Sequence, residues 1–282
     1  MIKAYFMLTK PGIIFGNAIT AASGFILASK AQVNPWLFLV TLMSLSLLIA
    51  SACVFNNYID QKTDKMMERT KNRALVRGTI SLKNAIIFAV FLGLFGVLLL
   101  ILYTNLLTTI IALSGFFIYV FLYSLSKYRS SYATVIGSIS GGVPPVVGYC
   151  AVVDRFDTGA CLLFMIVALW QMPHFFAIAM YRLDDYIAAS IPVLPVKRGV
   201  CITKIHMLFY IIAFLISVCM LTILGYTGYA YLIVVGLLGV SWLLLCIKGF
   251  KDANNRLFGR QMFHFSLVVI MILCIMISIS IP

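Results

Sequence analysis

The chain has 282 residues, 63% hydrophobic and 10% charged, with a mean hydropathy of +1.08. Such a composition excludes a water-soluble globular domain and an intrinsically disordered chain. The net charge of +13 could signal nucleic-acid binding, but the basic residues are distributed as membrane topology requires, so that function needs no place here.

Crossing a bilayer takes about 20 mostly apolar residues. Nine stretches qualify: 12–29, 36–58, 84–103, 106–125, 133–153, 159–181, 205–225, 230–247 and 262–281. The expected fold class is therefore all-α: a polytopic membrane protein of nine transmembrane helices in a bundle, forming one domain over residues 1–282. The first stretch is interrupted by Lys10-Pro11-Gly12, Asn17 and Thr20, which is a poor signal-peptide layout, so it is read as a retained span. With the N-terminus in the cytoplasm, 19 of the 21 basic residues fall on the cytoplasmic side and only Lys30 and Arg155 outside. The positive-inside rule then puts the C-terminus outside.

The second stretch runs into "NNYIDQKTDKMMERTKNR", which gathers Asp60, Asp64 and Glu68 four residues apart, followed by Arg69, Lys71 and Arg73. On a helix this spacing stacks three carboxylates on one face, about 6 Å apart, where they repel unless a cation lies between them. The fifth stretch contains Gly141-Gly142-Val143-Pro144-Pro145, read as a break in the helix that either opens a polar cavity or is a packing kink. The sixth carries "WQMPHF", with Trp170, Gln171 and His174 deep in an apolar span; a hydrogen-bonded core histidine and a substrate contact are both open readings. It ends in Asp184 and Asp185, ahead of Lys197 and Arg198.

Five of the eight acidic residues thus sit at the inner ends of two spans, four spans apart. The pattern points weakly to two four-helix halves plus a ninth helix. Ionisable residues placed so in a membrane protein are functional candidates. Carboxylates beside arginines and lysines suit a metal-bound polyanion: Mg²⁺ takes one or two carboxylates and completes its shell with water and phosphate oxygens, while Lys and Arg hold the remaining oxygens. A diphosphate at the cytoplasmic face is the expected ligand. A solvated interfacial loop with local ion pairs explains Glu68 and Asp184 but not the duplication. The seven cysteines are scattered and odd in number, with no metal spacing, and read as packing thiols.

Asn56-x-x-x-Asp60-x-x-x-Asp64, with a second acidic motif four spans later, resembles the UbiA-type intramembrane prenyltransferases. "TKPGIIFGN", "NNYIDQKTDKMMERTKNRALVRG" and "WQMPHFFAIAMYRLDDYIAASIPVLPVKRG" resemble the heme-farnesylating branch of that family, over nearly the whole chain. Two positions depart from pattern: Ala74 stands where Pro is usual, and Ala189 where the wider family repeats an acid. The resemblance implies a helical bundle around a central cavity open to lipid, in the bacterial cytoplasmic (inner) membrane, with the site facing the cytoplasm. It implies farnesyl diphosphate and heme B as substrates, Mg²⁺ as cofactor, and association with a heme A synthase or a terminal oxidase. Asn56, Asp60, Asp64 and Asp185 would hold metal, with Asp60, Asp64, Asp185 and Arg73 catalytic. Arg69, Lys71, Arg73, Lys197 and Arg198 would hold diphosphate, and His174, Gln171 and Trp170 the heme acceptor. A different aromatic or chlorin acceptor is the alternative within the family, and a cation-coupled transporter the rival outside it. Reporter fusions after Lys83 and Lys204 are expected to report cytoplasm and a C-terminal fusion the outer side; a cytoplasmic C-terminus would overturn the topology.

Overall fold

The computed structural model describes residues 1–30 and 32–281. Among these residues, nine helices are long and apolar enough to cross a membrane: Pro11–Ser29, Pro35–Asp64, Leu82–Tyr103, Leu106–Ser126, Ala133–Val153, Thr158–Tyr181, Val200–Ile223, Tyr229–Lys248 and Asn255–Ile279. They agree with the nine expected stretches, with three notable differences at one end of the bundle. The second span continues to Asp64 rather than residue 58, the seventh starts at Val200 rather than 205, and the ninth at Asn255 rather than 262. Apolarity marks where lipid begins, but backbone hydrogen bonding continues into the polar zone, where charged side chains reach water.

Local sequence explains most of the helix starts. Pro11 and Pro35 occupy first helical positions, where a missing N–H costs nothing. Asn34 accepts from the N–H groups of Trp36 and Leu37, Ser81 from Asn84, and Asp157 from Gly159 and Ala160. Asn105 caps the fourth span through Thr108 and also donates to the Cys150 carbonyl at 2.8 Å, tying the fourth span to the fifth.

The expected break in the fifth span does not occur. Ala133–Val153 is one continuous helix with Pro144 and Pro145 inside it and buried. Proline removes its own N–H, so Ser140 and Gly141 lose their usual helical donors, yet packing holds the rod together. The first span crosses the fifth backbone to backbone: a Cβ on Gly24 would collide with the Pro145 carbonyl, and one on Gly148 with the Ala21 carbonyl. An irregularity that sequence reading missed lies in the fourth span, where Ile118–Tyr123 forms a π-helical turn. Ser124 Oγ donates to the Tyr119 carbonyl there at 3.1 Å.

The outer surface is apolar, with Leu94, Phe209, Leu237 and Ile233 exposed toward the lipid zone. The interior of the second half is filled by large side chains such as Phe214, Trp242, Met207 and Phe258. Gly148→Val is expected to lower the thermal midpoint in detergent markedly, because two backbones must separate; overpacking of this kind costs about 1–3 kcal/mol. An unchanged midpoint would show that the crossing can relax.

Candidate active site

Asp60 and Asp64 lie one turn apart at the C-terminal end of the second span, as their spacing requires. Glu68 does not join them. The helix ends at Asp64 and the chain turns, leaving the Glu68 side chain 79% exposed and paired with Lys71 at 2.6 Å. The stack of three carboxylates expected from sequence is therefore two, because helical register stops at the second.

The cations that relieve their repulsion come from the protein itself. Arg73 folds back so that its Nη1 meets Asp64 Oδ2 at 2.6 Å, with the carboxylate almost fully buried. Thr70 holds the same turn by donating to the Asp64 carbonyl at 2.9 Å. Lys127, just beyond the fourth span, pairs with Asp60, and the Tyr128 hydroxyl donates to that carboxylate at 2.5 Å. Burial lowers the pKa of Lys127 while the charge of Asp60 and its hydrogen bond oppose the shift. Burial, then the hydrogen bond to Asp60, raises the Tyr128 phenol, which stays a neutral donor.

One turn deeper, Asn56 is buried and accepts from Lys10 Nζ at 2.6 Å while donating to Ser124 Oγ at 3.2 Å. Lys10 adopts a left-handed backbone conformation with φ of 56°, uncommon for a side chain with a Cβ, at the start of the first span. Although the residue is partly exposed, its ammonium lies within protein, and burial lowers its pKa to about 8.

These groups form the polar mouth of a cavity of about 710 Å³ that continues between the helices along apolar walls. Lys10, Asn56, Asp60, Asp64, Arg69, Arg73, Lys127 and Tyr128 line the mouth; deeper are Leu45, Tyr119, Tyr123, Trp170, Gln171 and His174. The π-helical turn places Tyr119 and Tyr123 side by side, with ring centroids 5.6 Å apart, on the wall above Lys127. Asp185 is not part of the wall, but its Oδ1 accepts from the Glu68 backbone N–H at 2.9 Å. The two acidic motifs, 117 positions apart, are thereby joined, and Tyr186 beside Asp185 lines the cavity. Lys71, Lys197 and Arg198 are exposed and do not line it.

On the sixth span, Trp170 Nε1 donates to the Ser266 carbonyl at 2.8 Å, and His174 Nδ1 lies 2.7 Å from Ser266 Oγ. Ser266 spends its one proton on the Phe263 carbonyl at 2.6 Å, so His174 Nδ1 must be the donor and Nε2 the bare nitrogen. The imidazole is stacked on Trp170 and tilted against Phe263, with centroids 4.8 and 5.1 Å away. Both open readings of His174 thus have a share: one ring nitrogen is satisfied by the core, while the ring lines the cavity.

Sequence reading missed Lys10, Lys127, Tyr128 and the Tyr119–Tyr123 pair. Lys10 and Lys127 were counted as topology charges; the available signal was that each stands alone, directly at the end of an apolar stretch. Among the described residues no cluster of three His, Cys, Asp or Glu side chains could hold a metal unaided. Two buried carboxylates with an amide one turn away suit a hard cation that takes its other ligands from water and substrate oxygens.

The sequence profile of the UbiA prenyltransferase family matches residues 17–268. The chain belongs to this family. It is 54% identical over 282 residues to the protoheme IX farnesyltransferase of Sodalis glossinidius (strain morsitans), covering 99% of this chain and 95% of that protein. It is 52% identical over 282 residues to that of Protochlamydia amoebophila (strain UWE25), covering 100% and 98%. Among solved structures, a digeranylgeranylglyceryl phosphate synthase superposes with a TM-score of 0.82 at 18% identity, covering 99% of this chain and 98% of that one. A UbiA homolog from Archaeoglobus fulgidus bound to GPP and Mg²⁺ gives 0.73 at 14% identity, covering 98% and 99%. The helical UbiA fold is established by these likenesses, and the transporter reading falls away. The Asp64–Arg73 ion pair anchors the family's first acidic motif in this chain. A double-mutant cycle of Asp64→Asn and Arg73→Gln, read by thermal unfolding in detergent, is expected to show coupling of about 1–3 kcal/mol; additive losses would mean the pair is solvated.

Proposed function

We propose that this chain transfers the farnesyl group of farnesyl diphosphate to a vinyl group of heme B, with addition of water, releasing heme O and diphosphate. The observation that carries this reading is identity of 52–54% along the full chain to proteins named protoheme IX farnesyltransferase. The site supports it independently of the names. A mouth with paired carboxylates and cations opens into an apolar cavity, which suits an amphiphile with a diphosphate head and a long hydrocarbon tail.

Asn56, Asp60 and Asp64 on the cavity wall are the residues proposed to hold Mg²⁺, together with Asp185 from just outside the wall, where the Glu68 N–H holds it. When bound, that ion neutralises charge developing on the diphosphate as the allylic carbon–oxygen bond breaks. Arg73 and Lys127 keep the carboxylates in place before substrate arrives and offer donors to phosphate oxygens afterwards, with Arg69 and Lys10 on the same wall. Lys71, Lys197 and Arg198, outside the cavity, draw the anion toward the mouth. The allylic cation forms below the Tyr119–Tyr123 pair, whose faces favour positive charge.

The acceptor is assigned to the Trp170–His174 wall. Stacked indole and imidazole offer flat surface to a macrocycle, Phe175 extends it, and the bare Nε2 suits heme iron. The vinyl terminal carbon attacks the farnesyl carbon, leaving a cation on the carbon next to the porphyrin ring that water captures. No covalent enzyme intermediate is needed; the chain positions, stabilises charge and meters water. The distribution of basic residues supports placing the mouth on the cytoplasmic side of a bacterial inner membrane. A heme A synthase or a terminal oxidase is the proposed receiver, since the product is apolar and stays in the membrane.

Purified protein given heme B, farnesyl diphosphate and Mg²⁺ is expected to yield a porphyrin heavier by a farnesyl group and one hydroxyl, and none with chelator. Asp60→Asn, Asp64→Asn and Asp185→Asn should each lose on the order of a thousandfold in turnover, the scale of removing charge stabilisation worth several kcal/mol. Glu68→Gln and Asp184→Asn, exposed at the surface, should stay within about threefold. An unmodified porphyrin from the wild-type protein would refute the function, and full activity in Asp64→Asn would remove it from the metal site.

A further inference from the structure

One polar group in the cavity has no part in breaking the carbon–oxygen bond. Gln171 is 6% exposed, on a span whose neighbouring residues are apolar. Its Nε2 donates to the Val167 carbonyl at 3.3 Å, and its Oε1 has no protein partner among the described residues. Leaving an amide oxygen unpaired in an apolar wall costs about 1–3 kcal/mol unless a water or ligand meets it.

The wall around it is built to take a small polar molecule. The Gln171 carboxamide lies against Gly141, where any Cβ would overlap it, and Gly141, Ser140, Pro144 and His174 line the same cavity. Pro144 and Pro145 supply no N–H, so the Ser140 and Gly141 carbonyls lack their usual helical donors and add acceptor capacity beside the amide. Three acceptors thus belong to residues lining the cavity, the Ser140 and Gly141 carbonyls and Gln171 Oε1, while His174 Nε2 serves the iron. A water with its two protons held by such acceptors has its lone pairs free and made more nucleophilic. At about 1.5 Å per residue from the inner ends of their spans, Gln171 lies roughly 10 Å deeper than Asp60, within the reach of a heme vinyl group on a prenyl carbon held at the mouth.

We propose that Gln171 positions the water that captures the porphyrin-side cation, an inference that rests on the heme farnesylation reading above. The vinyl π pair forms the new carbon–carbon bond as diphosphate departs, leaving a cation on the carbon attached to the macrocycle. Oxygen of the held water forms the carbon–oxygen bond, and its surplus proton is lost to the departing diphosphate. Without a held water, the same cation loses a proton from the adjacent methylene to diphosphate, giving a farnesylated alkene lighter by one water. Gln171 therefore governs the ratio of hydroxylated product to alkene.

The test is product mass from single turnovers in heavy-oxygen water, comparing wild type with Gln171→Leu, Gln171→Glu and Gly141→Ala. Wild type should give the hydroxylated porphyrin with solvent oxygen incorporated. Gln171→Leu should shift the alkene-to-hydroxyl ratio about tenfold or more, the scale of one lost hydrogen bond, whatever its effect on total turnover. Gln171→Glu, which keeps an acceptor, should restore the hydroxyl product. Because a ratio is independent of how much protein folds, Gly141→Ala, which displaces the carboxamide, decides the case if Gln171→Leu cannot be purified. A wild type making no farnesylated porphyrin overturns the functional reading and this inference with it. A wild type making it, with the ratio unchanged in Gln171→Leu or Gly141→Ala, overturns this inference alone.

Discussion

Two carboxylates, Asp60 and Asp64, face the same way one turn apart at the end of a membrane-spanning helix, and Asp64 is almost wholly shielded from solvent. Their repulsion in a partly dehydrated place is the constraint around which this end of the bundle is arranged. Each charge is met by a cation from elsewhere in the chain: Arg73 from the turn that follows, and Lys127 from the end of the fourth span. These pairs fix the course of the loop after the second span and pin the fourth span against it. Asp185 then clamps the loop by accepting from the Glu68 N–H, which closes the mouth with a residue from the opposite half of the chain.

The same arrangement explains why a helix bundle serves this chemistry. Backbone polar groups in lipid must be satisfied internally, so the scaffold is helical and the functional side chains cluster where helices end. Small residues let the first and fifth spans cross at backbone distance, and both spans also line the cavity. Charge is confined to the mouth, and the walls beyond it are apolar and aromatic. A reactive carbocation survives only where nucleophiles are few and placed, so an unpaired amide oxygen in those walls carries more chemical weight there than it would on a surface.

Much of this was written in the sequence. Among the described residues, nine apolar stretches became nine helices long enough to span, because the bilayer requires a length and a composition that the sequence shows directly. The i, i+4 spacing of Asn56, Asp60 and Asp64 determined a shared helical face, and the second acidic motif and "WQMPHF" marked the other walls. Those features are local, set by helical period and by the cost of burying charge, so one dimension suffices to read them.

Only the tertiary structure decided which charges meet. Lys10 and Lys127 look in sequence like any basic residue at a membrane edge, and they enter the site because distant spans pack against the second one. Glu68 left the carboxylate stack because the helix ended, and Lys71, Lys197 and Arg198 stayed outside the cavity because their loops carry them to solvent. The fifth span remained one continuous helix through two prolines, packed backbone to backbone against the first span. Local sequence determines where helices run and which faces are polar; the pairing of charges and the shape of a cavity depend on contacts between residues far apart in the chain, which only packing can select.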